Sequence, residues 1–187
     1  MLKRMLGAAA VLALGAALPA HATTVSISPD GSWHTFDVSD VLSADQGLGW
    51  FDFSTGDPLE FVINVAAGQG VMITVTDAGH AGDRFRVFDN GAPLGETSAV
   101  SADGAGDVDL NFDAALADAS FSRAYFFLGA GSHTLTGELS QSSSFVLNST
   151  VGALSATPVP LPASLLLLFS GGGVMSLFAR RRKTAVA

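Results

Sequence analysis

Between Thr23 and Leu147 the chain is written in short runs where apolar and polar residues alternate, the pattern of strands with one buried face. Thr24-Val25-Ser26-Ile27-Ser28 alternates, and Trp33–Val38, Trp50–Phe53 and Leu59–Ala66 follow, the last opened by Asp57-Pro58. Gly68-Gln69-Gly70 turns the chain into Val71–Asp77, where Val71, Ile73 and Val75 face a core and Thr74 and Thr76 face out. Arg84–Phe88 leads to Asn90-Gly91, the strongest tight-hairpin signal in the chain, because both residues tolerate positive φ. A strand near Gly95–Ser101 is expected to pair back. Phe121–Leu128 and His133–Leu139 flank the Gly129-Ala130-Gly131 turn, and Ser144–Leu147 reads as a last strand. Asp113–Ala119 makes at most one helical turn, with Leu116 facing in. Turn signals every 8–12 residues predict an all-β fold, an antiparallel β-sandwich or jelly-roll-like single domain. The 13 Phe, mostly on these runs, are its expected filling.

The two ends depart from this pattern. Lys3 and Arg4, the uncharged run Met5–Leu18, and Ala20-His21-Ala22 form a secretory signal peptide, residues 1–22, that signal peptidase is expected to remove before Thr23. Leu161–Ala179 carries no charge and as a helix reaches roughly 28 Å, just enough to cross a hydrocarbon layer. Arg180-Arg181-Arg182-Lys183 then holds the tail at the inner face. The expected organisation is signal peptide 1–22, β-sandwich 23–147, a Ser/Thr-rich linker 148–158, and a C-terminal segment 159–187 that spans the inner membrane.

Val159-Pro160-Leu161-Pro162-Ala163, the apolar run with Gly171-Gly172-Gly173, and the basic cluster, in that order, resemble the PEP-CTERM class of sorting signals, and most closely its VPLPA variant. The commonest form of the signal has Glu where this chain has Leu161. The resemblance covers only 159–187. It implies recognition by an exosortase, a membrane-embedded cysteine-protease-like enzyme, in a Gram-negative bacterium that makes extracellular polysaccharide. It also implies a passing inner-membrane intermediate and delivery to the outer surface or matrix. The stretches Val71–Gly95 and Gly131–Thr136 look like the uncharacterised jelly-roll-like bodies of exported proteins of this class, which implies a fold and hardly any activity.

Composition narrows the chemistry. The 187 residues include no Cys, which excludes disulfides, thiolate metal sites and a Cys nucleophile. Mean hydropathy is +0.41 and charged residues are 14%, too apolar for a disordered chain. All 17 acids fall between Asp30 and Glu138, against Arg84, Arg86 and Arg123, so the body carries a net −14 and would be repelled by nucleic acid. Neither G-x-S-x-G nor a phosphate-cradling glycine motif occurs, and no pair among the 17 acids singles itself out for glycoside hydrolysis. His34, His80 and His133 are too scattered to suggest a metal site and read as surface or turn residues.

Asp103, Asp107 and Asp109, on a Gly-rich loop, are the candidate Ca²⁺ ligands, although their spacing departs from the EF-hand and a solvated acidic loop is the plainer reading. Asp77–Asp83 is a second acidic, Gly-spaced segment, and a calcium site gains weight if the two loops meet. Arg84 and Arg86 share a strand face and are expected to be ion-paired. Trp33, Trp50 and Tyr125 are candidates for stacking on sugar rings; exposed tryptophans would favour that reading and buried ones count against it.

The expectation is a non-enzymatic, exported protein of the envelope or exopolysaccharide matrix, with no resident cofactor. A carbohydrate-binding module is the first alternative. A secreted hydrolase, needing a histidine beside a Ser and an Asp, is the second.

Overall fold

The computed structural model describes residues 21–45 and 47–160. Nine strands and one short helix follow one another as β1 (Thr23–Ser26), β2 (Trp33–Ser39), β3 (Leu59–Val65), β4 (Gly70–Ala78), β5 (Arg84–Asp89), β6 (Ala92–Glu96), α1 (Phe112–Ala117), β7 (Arg123–Leu128), β8 (Gly131–Gln141) and β9 (Ser149–Val159). They form two sheets, β1-β3-β8-β5-β6 and β2-β9-β4-β7. All pairings are antiparallel except β1 with β3, where Thr23 lies beside Leu59 and the strands run together. The fold is all-β, as the alternation predicts.

The sheets stack because each has one apolar face. Phe36, Val38, Ile73, Val75 and Leu154 from one meet Phe61, Ile63, Phe85, Val87 and Leu135 from the other in one core. Bringing these side chains out of water is the main force closing the sandwich. Phe36 stacks on Trp50 at 3.9 Å and meets Phe85 edge-on at 5.0 Å. Phenylalanine is only part of the filling as expected: Phe36, Phe51, Phe61, Phe85 and Phe121 are buried, while Phe53, Phe127 and Phe145 are exposed. The Asn90-Gly91 turn forms with φ of 49° and 78°. Pairing resumes at once at Ala92, so the return strand is β6 and not Gly95–Ser101.

Three expectations are corrected. Residues 148–158 are not a linker: Ser149–Val159 is β9, held between β2 and β4 in the middle of its sheet. Its Gly152, Ala153, Leu154 and Ala156 are buried, and small residues let flanking side chains close over it, which a Ser/Thr count does not reveal. Ser144–Leu147 is not a strand but an exposed connection carrying Phe145, Val146 and Leu147. The helical turn starts at Phe112, because the Asn111 side chain caps it by accepting from the Ala114 N–H, and it buries Ala115 instead of Leu116.

The N-terminal strand begins at Thr23, and Ala22 is the residue before it. Ala20 and the residues before it, and Leu161 onward, including Pro162, Ala163 and Arg180–Lys183, lie outside the described residues, so the fold does not bear on the expectations for them. No helix among the described residues is long and apolar enough to cross a membrane.

Candidate functional site

A cavity of about 260 Å³ opens where β2 and β4 end and β9 begins. Strand alternation puts Asp37 beside inward-facing Phe36 and Val38 on β2, and the chain around Phe51 folds over that strand. Asp37 and Phe51 exchange both backbone hydrogen bonds, at 3.1 and 2.9 Å, which brings the Asp37 carboxyl under cover. Burial, and then the charge of Asp52, pushes its pKa up to about 6. Asp52 moves the other way: the Ser54 hydroxyl and N–H hold its carboxylate below the usual range. Asp37 also borders a neighbouring groove of about 470 Å³ that includes Asp52, Trp33 and His34. An acid that keeps its proton into mildly acidic solution, facing one that has lost it, can hold and release a proton near pH 6.

The far wall of the cavity is built on the β4–β5 turn. Asp83 accepts the Ser143 N–H at 2.7 Å, and burial raises its pKa. Behind it Asp77, wholly buried, accepts the Gly82 and Asp83 N–H groups through Oδ2, each at 3.2 Å. Its Oδ1 has no partner. Burial, then the neighbouring Asp83 charge, pushes Asp77 up to about 8, so this carboxyl is largely protonated at neutral pH. Leu42, Phe53 and Val146 form an apolar rim, and the His80 ring lies on Phe145 at 3.9 Å. Asp37 and Asp83, with no Lys or Arg among the residues lining the cavity, can accept hydrogen bonds from a partly apolar ligand under this rim.

The two acidic loops do meet. Gly79 N–H donates to Asp109 C=O at 2.8 Å, Val108 N–H to Gly79 C=O at 3.0 Å, and Ala81 N–H to Gly106 C=O at 2.9 Å. Ala81, Ala115 and Phe121 form a small core under this junction. Their carboxylates do not converge, however. Asp103 accepts from Ala105 N–H and Asp107 from Asp109 N–H, each turning back on its own loop. Among the described residues no group of three or more His, Asp or Glu is arranged to hold a metal ion.

The histidines stay apart: His34 is on β2, His80 lies 3.7 Å from Asp107, and His133 binds Asp89 at 2.7 Å and Gly129 C=O at 3.0 Å. Among the described residues no histidine is hydrogen-bonded to a serine hydroxyl. Arg84 pairs with Glu96, and Arg86 with Glu96 and Glu138. Of the sugar-stacking candidates, Trp50 is buried in the core. Trp33 packs on Phe112 and donates to Asp113 at 3.0 Å, and Tyr125 is exposed on β7. Nothing local in the sequence marks Asp37, since its covering arrives from fourteen residues along the chain.

No family model and no curated protein matches the chain. Among solved structures it is similar to the pre-peptidase C-terminal domain of a Bacillus anthracis collagenase, at 11% identity and a TM-score of 0.40, over 75% of this chain and 99% of that one. It is also similar to the periplasmic inhibitor of g-type lysozyme from Aeromonas hydrophila, at 13% identity and a TM-score of 0.35, over 74% of this chain and 97% of that one. An insecticidal delta-endotoxin from Bacillus thuringiensis matches at 14% identity and a TM-score of 0.36, the likeness covering 26% of its chain.

Proposed function

We propose that this chain is an exported, non-enzymatic protein of the cell envelope or exopolysaccharide matrix, delivered through its C-terminal sorting signal. The observation that supports this reading is the fit between the fold and the two processing sites. The first strand begins at Thr23, where signal peptidase is expected to cut, and the last ends at Val159, the first residue of the sorting motif. Every described strand and the described core therefore fall between the two expected cuts, and trimming beyond Val159 and before Thr23 would leave the sandwich intact. An exosortase-type enzyme acting near Val159–Ala163 would release or transfer a finished domain, with the inner membrane holding it only in passage.

In the matrix, a body of net −14 meets acidic polysaccharide through divalent cations or through uncharged surface. A carbohydrate-binding role through tryptophan stacking loses its main support, since Trp50 is in the core and Trp33 is engaged by α1.

Mass spectrometry of the mature polypeptide, from cells grown with and without the sorting enzyme, tests the proposal. The expected product starts at Thr23 and lacks Arg180–Lys183. A secreted product that still carries those arginines overturns it.

A further inference from the structure

Of the four strands at sheet edges, three are guarded. β1 is four residues long, β6 contains Pro93 and lies beside a register shift in its pairing with β5, and β2 has Asp37 closed off by Phe51. β7, Arg-Ala-Tyr-Phe-Phe-Leu, has no such device over its second half. Asp77 N–H donates to Ser122 C=O, so in the antiparallel ladder Ala124, Phe126 and Leu128 bond inward to β4 while Arg123, Tyr125 and Phe127 point their backbone groups outward. Arg123 bears this out: its outward C=O and N–H are both taken by Ser98. Tyr125 and Phe127 keep two N–H and two C=O groups at the open edge, and β4 is the strand that β7 pairs with.

The side chains of the same two residues are exposed at 57% and 51% on the outer face of the sheet. Their cross-strand neighbours are Thr74 and Met72, then Ser155 and Thr157, none of them charged. Arg123 folds its guanidinium back onto the C=O groups of Leu116 and Asp118. In a body of net −14 the strand positions around Tyr125 and Phe127 carry no charge, with Asp113 on α1 and Asp118 at its C-terminal end at their border, so two copies approach here with little repulsion.

We propose that β7 is a self-association edge, on which a second copy of this chain pairs antiparallel about Phe126, with each Tyr125 opposite the partner's Phe127. That register is its own two-fold image, satisfies all four outward backbone groups in each copy, and sets tyrosine beside phenylalanine across the join. It fuses two four-stranded sheets into one continuous sheet.

The lack of any native Cys makes the test direct. In the full chain, purified in mild detergent, the double variant Tyr125→Cys/Phe127→Cys puts thiols on α-carbons about 5.5 Å apart across the join, within disulfide range. Mild oxidation is expected to give a covalent dimer, while the Val41→Cys control, on an exposed residue past the end of β2, stays monomeric. No dimer from the double variant, or equal dimer from both, overturns the proposal. Sedimentation gives a second reading: the unmodified chain is expected to dimerise at about 100 µM, enough to fill a micromolar site. Phe127→Lys is expected to make it monomeric, with a melting temperature equal to the parent's when both are measured dilute enough for the parent to be monomeric as well. A monomeric parent chain at that concentration overturns the proposal as well.

Discussion

The indole of Trp50 lies against Gly137 so closely that a β-carbon there would collide with the ring, and the backbone N–H of Trp50 donates to the Gly137 C=O at 2.9 Å. Phe36 stands in the same relation to Gly152 on β9. Both glycines are gaps that admit an aromatic ring to the backbone of a facing strand. Gly137→Ala and Gly152→Ala should each cost about 1–3 kcal/mol, because rigid buried rings would have to move. Gly129, with open space around it and ordinary φ, is the control, and Gly129→Ala should shift the urea midpoint hardly at all.

Stability should fall as pH rises from about 4 to 8. Over that window the unfolded chain has given up the Asp77 proton while the folded chain, with its pKa near 8, retains it, so each step in pH favours unfolding. Asp37 adds to the slope between about 4 and 6. Asp77→Asn keeps the shape without the charge and should flatten the curve. The check is the melting temperature of both proteins from pH 5 to 9; a parent chain that grows more stable toward pH 9 would contradict it.

A chain ended at Leu147 should not fold. Without β9, β2 has lost its ladder partner in the second sheet and β4 loses one of two. A chain ended at Pro160 should resist trypsin as the full sandwich does. Limited proteolysis of the two lengths distinguishes a central strand from a dispensable stalk.

Millimolar calcium should leave the thermal midpoint in place, since Asp103 and Asp107 spend their carboxylates on their own loops. A rise of several degrees would reveal ligands that these contacts conceal.

Period-two alternation was enough to expect the sandwich, since Val71, Ile73 and Val75 could only face inward together, and Asn90-Gly91 announced its turn. What stayed hidden depends on partners distant in sequence. β9 is rich in small and hydroxylated residues, like a spacer, and becomes a core strand only because Phe36 and its neighbours on β2 and β4 close around it. Asp37 looks like any outward strand acid until the Phe51 segment covers it. The two acidic loops were legible as loops, but whether their carboxylates converge is a matter of backbone direction, which spacing alone does not carry.

β9 also sets a distance. Ser149 and Val151 border the acidic cavity at one of its ends, and Val159 stands at the other, roughly 30 Å away along an extended strand. That is more than three Debye lengths at physiological ionic strength. A charge placed beside Val159 is electrically silent at Asp37 and Asp83. The cavity therefore answers to the acidity of its surroundings and not to charges gathered at the far end of β9.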